Sequence, residues 1–191
     1  MIDIPTLIGC TVALFGMIGV VFLVVWFWDG RAPRDLWYGA PFLMGFLGGA
    51  FLINPGLLPG LWALRLGTWF ILLAYAFGWQ AIRAFYGRPF RWAMVFVPTL
   101  VWVALSAAVF EPFHLTGVSA AVRAVLILCF NGLAARELWR RRGERLSSRA
   151  VLFWVFAFYA GVAALRVPFA HWLPSPLGGG EPAAWGVVLF N

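Results

Sequence analysis

From Ile4 to Trp28 the chain carries no charged side chain, and five more stretches almost as apolar follow before residue 171. This feature constrains the fold more than any motif does. About 20 apolar residues in a helix match the roughly 30 Å hydrocarbon thickness of a bilayer. Inside lipid every backbone N–H and C=O has to be satisfied within the protein, which leaves helices or closed barrels. Barrel strands alternate in polarity over about 10 residues. These runs are continuously apolar, so helices are expected. With 63% hydrophobic and 11% charged residues in 191, the chain has more apolar surface than a soluble domain of that size can hide. It reads as an all-α integral membrane protein with residues 1–191 in one helical membrane domain.

Six full spans are expected: Ile4–Trp28, Trp37–Ile53, Leu61–Ile82, Trp92–Phe110, Val118–Ala135 and Ala150–Ala170. The breakers Asn54-Pro55-Gly56 and Glu111-Pro112 close the second and fourth. A Gly/Pro-rich loop, His171–Pro182, precedes a seventh apolar run from Ala183 to the last residue, Asn191. At about 1.5 Å per residue that run reaches about half of the core, so it reads as the start of a seventh helix in a longer protein. The first run has neither a basic n-region nor a small-x-small cleavage site and reads as a retained span. Cys10 and Cys129 lie in apolar runs without a CxxC and read as small buried hydrophobes. Gly16, Gly19, Gly45, Gly48 and Gly49 are expected to let helices approach closely.

All 14 basic residues are Arg, and the formal charge is +7. Eleven fall in the connectors after the first, third and fifth spans: Arg31 and Arg34; Arg83, Arg88 and Arg91; and Arg136, Arg140, Arg141, Arg142, Arg145 and Arg149. The other connectors hold none of these eleven. The positive-inside rule then places the N-terminus outside and the clusters in the cytoplasm, as in a bacterial inner membrane. Trp26, Trp28, Trp37, Trp79, Trp92 and Trp139 suit the cytoplasmic interface; Trp62, Trp172 and Trp185 suit the outer one. The clusters read as orientation charges, with the lipid bilayer rather than nucleic acid as their partner. Gly30-Arg31-Ala32-Pro33-Arg34 and Gly87-Arg88-Pro89-Phe90-Arg91 share a G-R-x-x-R pattern, which fits either a two-helix duplication or two ordinary basic turns.

Arg65, Arg123 and Arg166 lie inside apolar stretches near the opposite ends of the spans. Arg65 and Arg123 sit in the first turns of their helices, where the macrodipole disfavours a cation. Arg166 is near a helix C-terminus, which suits it, and Pro168 frees the carbonyl of Ala164. Ionisable residues within a span point to function. The planar guanidinium fork binds two oxygens of a carboxylate or phosphate, so the three arginines are candidate ligand-binding residues for an anion at the outer face. The competing reading is structural: Asp3, Glu111 and Glu181 are equal in number and would form ion pairs with them, or the arginines snorkel to lipid phosphates.

Other features carry less. His114 and His171 lie in loops without CxxCH, and no metal site or haem is read from them. Gly178-Gly179-Gly180-Glu181-Pro182 follows no strand and reads as a flexible loop. No Asp or Glu falls within a span, which argues against a proton-coupled transporter.

Asp3-Ile4-Pro5-Thr6-Leu7 opens the first span, and Ile82-Arg83-Ala84-Phe85-Tyr86-Gly87-Arg88 closes the third. Arg136-Glu137-Leu138-Trp139-Arg140 and Leu146-Ser147-Ser148-Arg149 link the fifth to the sixth, which Leu165-Arg166-Val167-Pro168 closes. Together these resemble the N-terminal membrane region of bacterial GGDEF-type diguanylate cyclases. The resemblance implies a cytoplasmic output domain after residue 191, using GTP and Mg²⁺ to make cyclic di-GMP. Within the chain it implies a signal-input region with no catalytic residue and no cofactor. Gly179-Gly180-Glu181-Pro182 is not a GGDEF motif, since Pro stands where an acidic residue is needed. The expected function is therefore membrane sensing, in a homodimer or larger membrane complex. The alternative is an accessory or structural subunit of such a complex.

Overall fold

The computed structural model describes residues 4–28, 33–140 and 147–170. Among them there are six α-helices and no strand: α1 (Ile4–Trp28), α2 (Pro33–Ile53), α3 (Trp62–Phe85), α4 (Trp92–Leu105), α5 (Thr116–Arg140) and α6 (Ser147–Phe169). The seventh run and the His171–Pro182 loop lie outside the described residues, as do Asp3 and Glu181.

Local chemistry sets the helix ends. α2 stops where Pro55 offers no N–H; Asn54 donates through its backbone N (3.2 Å) and Nδ2 (3.1 Å) to the carbonyl of Ala50. α3 ends at Gly87, whose φ of +65° only glycine adopts without strain. Gly87 N then donates to Ala84 O (3.0 Å) and Arg88 N to Arg83 O (2.9 Å), the paired bonds of a Schellman cap. α4 widens at its end into a π-helical turn, Ser106–Phe110, in which Glu111 N reaches back to Ser106 O (3.1 Å).

The helices pack in a chain, α1 on α2, α2 on α3, α3 on α4 and α5, and α5 on α6. α3 is therefore central. Its buried face includes Ala63, Gly67, Leu72, Leu73, Ala76, Phe77, Trp79, Gln80 and Arg83. Five helices are long and apolar enough to cross a membrane: α1, α2, α4 with its π turn, α5 and α6. The expected third span is the exception. Arg65, Gly67, Thr68, Gly78, Gln80 and Arg83 interrupt the apolar run of α3. By contrast α1 and α6 turn large side chains outward, including Met17, Val21, Trp154 and Phe158. Cys10 and Cys129 are also exposed rather than buried in the core; each falls on an outward stripe of its helix.

Glycines set the closest helix crossing. A Cβ on Gly48 would lie 2.8 Å from Ile71 Cδ1 and 2.9 Å from the backbone oxygen of Gly67; a Cβ on Gly67 would lie 3.1 Å from that of Gly48. α2 and α3 meet backbone to backbone there, as small residues permit. Nearer one end, Trp37 stacks on Phe90 (4.2 Å between centroids), which in turn meets Trp92 (4.2 Å). This aromatic cluster ties the start of α2 to the α3–α4 turn.

Candidate functional site

At the end of the bundle formed by the starts of α3 and α5 and the ends of α4 and α6 lies a cavity of about 490 Å³. Its lining includes Arg65 from α3, Arg123 from α5 and Arg166 from α6. Three arginines separated by 58 and 43 positions along the chain therefore meet at one cavity. Thr68, Tyr75, Ser106, Thr116 and Ser119 add hydroxyls, and Leu52, Ile71, Trp102, Phe110 and Ile127 supply apolar wall.

Arg65 is held by Glu111. Its Nε donates to Glu111 Oε1 (2.8 Å), its Nη2 donates to Oε2, and its guanidinium lies 4.7 Å from the centre of the Trp62 ring. The two parallel bonds make this a bidentate, charge-assisted pair. Ser106 Oγ donates to the same Oε1 at 3.0 Å. Ser106 opens the π turn and Glu111 follows it, so the widened turn brings both to the cavity. π turns of this kind are frequent at functional sites. The Arg65 guanidinium, with help from Ser106 and against partial burial, holds the Glu111 carboxyl below the usual carboxylate range.

Of the carboxylates expected to pair with the three arginines, Glu111 pairs with Arg65. The other two carboxylates of that set, Asp3 and Glu181, lie outside the described residues. Arg123 and Arg166 are each half-buried and close enough to repel one another electrostatically, and Tyr75 is within electrostatic reach of Arg166.

The other end of the bundle carries a second polar centre that sequence reasoning missed. Arg83 and Arg88 read as orientation charges in a connector, and Glu137 as a connector carboxylate. Instead Arg83 is on α3 with 4% of its surface exposed, and Glu137 is on α5 and buried. Arg83 Nη1 donates to Glu137 Oε1 (3.3 Å) and Nη2 to Pro89 O (2.9 Å). Arg88 Nη1 lies 2.9 and 2.8 Å from the two carboxylate oxygens of Glu137. The Arg83 guanidinium lies 5.3 Å from the Trp79 ring centre, and Gln80 Oε1 accepts from the backbone N of Arg91 at 3.4 Å. A readable signal existed: Asn131, Ala134, Glu137 and Leu138 continue the 3.6-residue period of the α5 core face. Extending that period beyond Ala135 carries Glu137 inward. His114 sits in the α4–α5 turn with φ +54°, and His171 lies outside the described residues.

No protein-family profile, curated protein or solved structure matches this chain.

Proposed function

We propose that this chain is a membrane sensory input region whose outer-face cavity reads an anionic ligand. The observation that carries the reading is the meeting of Arg65, Arg123 and Arg166, from three helices, at one cavity. Around it stands a bundle of six crossings and the start of a seventh in a bacterial inner membrane, with the N-terminus outside. The arginine-rich connectors give that orientation through the positive-inside rule. Arg65, Arg123 and Arg166 supply the guanidiniums of that cavity, and Arg65 also pairs with Glu111. Occupancy alters the packing of α5 and α6, and the seventh helix passes the change to a cytoplasmic domain. The resemblance noted above makes that domain a diguanylate cyclase.

The test uses the full-length protein in membranes. Arg65, Arg123 and Arg166 are each replaced by Gln, and cyclic di-GMP formation from GTP is followed across a panel of small anions. An anion-dependent output lost in R123Q and R166Q supports the reading. Output identical to wild type under every condition refutes it, and the absence of a cytoplasmic cyclase domain refutes its output half.

The exposed aromatic face of α6, with Trp154, Phe158 and Tyr159, favours a second reading, an accessory subunit of a larger membrane complex. Such a subunit co-purifies with its partner helices in fixed ratio.

A further inference from the structure

The end of the bundle away from the cavity gathers more cations than it neutralises. Arg88, in the α3–α4 turn, lies 2.9 and 2.8 Å from the carboxylate oxygens of Glu137 on α5, 49 positions away. That contact joins the turn and the last turns of α5 into one surface. Its carboxylate is already shared by Arg83 and Arg88. Arg91 is held beside α3 by its backbone N, which donates to Gln80 Oε1. The Arg91 guanidinium meets only the soft sulfur of Met94, at 3.5 Å. At about 100° per residue, Arg136 and Arg140 fall about 40° apart around α5, with Arg140 on the side toward Glu137. Like charges at that spacing repel. Arg91, Arg136 and Arg140 are all exposed, and among the described residues no carboxylate pairs with any of them.

Two observations point to lipid as the source of the missing negative charge. Of the helices long and apolar enough to cross a membrane, one begins at Trp92, directly after Arg91, and another ends at Arg140. The three arginines therefore sit at the ends of spans, where headgroups lie. Exposed indoles also stand beside them: Trp92 is 56% exposed, and Trp139, one turn from Arg136, is 53% exposed. Trp is enriched at that depth of a bilayer because its ring is apolar and its N–H polar. Basic surfaces between spans bind anionic headgroups in the same way.

We propose that this surface binds an anionic phospholipid, its phosphodiester held by Arg91, Arg136 and Arg140 and its upper acyl chains against Trp92 and Trp139. The site is separate from the cavity and does not depend on what the cavity binds.

The experiment is native mass spectrometry of the full chain in detergent micelles, titrated with phosphatidylglycerol or with phosphatidylcholine of the same acyl chains. Each arginine near an anionic headgroup contributes about fivefold, equivalent to about 1 kcal/mol, so three make a preference of about a hundredfold for phosphatidylglycerol. R91Q/R136Q/R140Q is expected to bring the two lipids within about threefold of each other, while R91K/R136K/R140K keeps most of the preference. R31Q/R34Q/R149Q removes the same charge from elsewhere in the basic clusters and is expected to leave a preference above about tenfold. Helix content by circular dichroism checks the fold of each variant, and the wild-type comparison of the two lipids needs no variant. Equal binding of both lipids by the wild type overturns the proposal. Equal losses in the two glutamine variants also overturn it, since diffuse charge rather than this surface is then responsible. A lysine variant as weak as R91Q/R136Q/R140Q shows that charge is not the cause and overturns it as well. Displacement of phosphatidylglycerol by an equal concentration of glycerol phosphate assigns the surface to a soluble anion and overturns the lipid.

Discussion

The sharpest test of the bundle's energetics lies at the end away from the cavity, in the Arg83–Glu137–Arg88 cluster. Arg83 is 4% exposed and Arg88 31% by side chain, and both share the Glu137 carboxylate, itself 10% exposed. Replacing Glu137 by Gln removes the counter-charge of a buried guanidinium. Breaking a buried pair in this way costs about 3–5 kcal/mol. The Arg83 bond to the Pro89 carbonyl and the stacking on Trp79 survive the change, which places the expected loss near the lower figure, about 3 kcal/mol. R88Q removes the solvent-facing partner, and exposed pairs contribute about 0.2–1 kcal/mol. The apolar double variant R83M/E137L keeps the volume and removes both charges, and is expected to be nearly neutral. The assay is unfolding in mixed micelles, followed by helical circular dichroism, for the wild type and the three variants. The order E137Q, then R88Q, then R83M/E137L from most to least destabilised is expected. If R88Q costs as much as E137Q, burial of Arg83 is not the source of the energy and the reasoning fails.

Three further outcomes are expected. Because Arg65 holds Glu111 below the usual carboxylate value near 4.5, the charged pair contributes fully above about pH 4.5 and loses its contribution as pH falls further, through the lowered folded-state value. Thermal melts from about pH 7 down to about pH 3 should show a decline in the wild type that E111Q lacks; parallel curves refute the pair's role. G48A should destabilise the protein by about 1–3 kcal/mol in the same micelle assay, because one of the atoms its Cβ meets is the backbone oxygen of Gly67; a neutral result means that α2 and α3 separate at little cost. G78A, whose Cβ meets nothing within 4 Å, should be neutral or slightly stabilising through helix propensity, and a loss as large as that of G48A would show that the crossing is not the cause.

The sequence by itself determined the helical class, most helix boundaries and the sorting of arginines between the two ends. These follow from local quantities: run length against bilayer thickness and the Asn54-Pro55-Gly56 and Glu111-Pro112 breakers. Arg65, Arg123 and Arg166 were also legible as unusual, since an ionisable side chain inside an apolar stretch is costly, although α5 starts at Thr116 and so carries Arg123 beyond its first turn. Only the tertiary structure decided that these three line one cavity, because convergence depends on how α3, α5 and α6 pack and no spacing along the chain encodes it. It likewise decided that Glu111 belongs to Arg65, through a π turn that apolar periodicity does not announce. It turned Arg83 from an orientation charge into the buried partner of Glu137, 54 positions away. And it made α3, the one expected span that falls short of the apolarity needed to cross a membrane, the centre of the bundle, where Gln80 and Arg83 are buried against neighbouring helices.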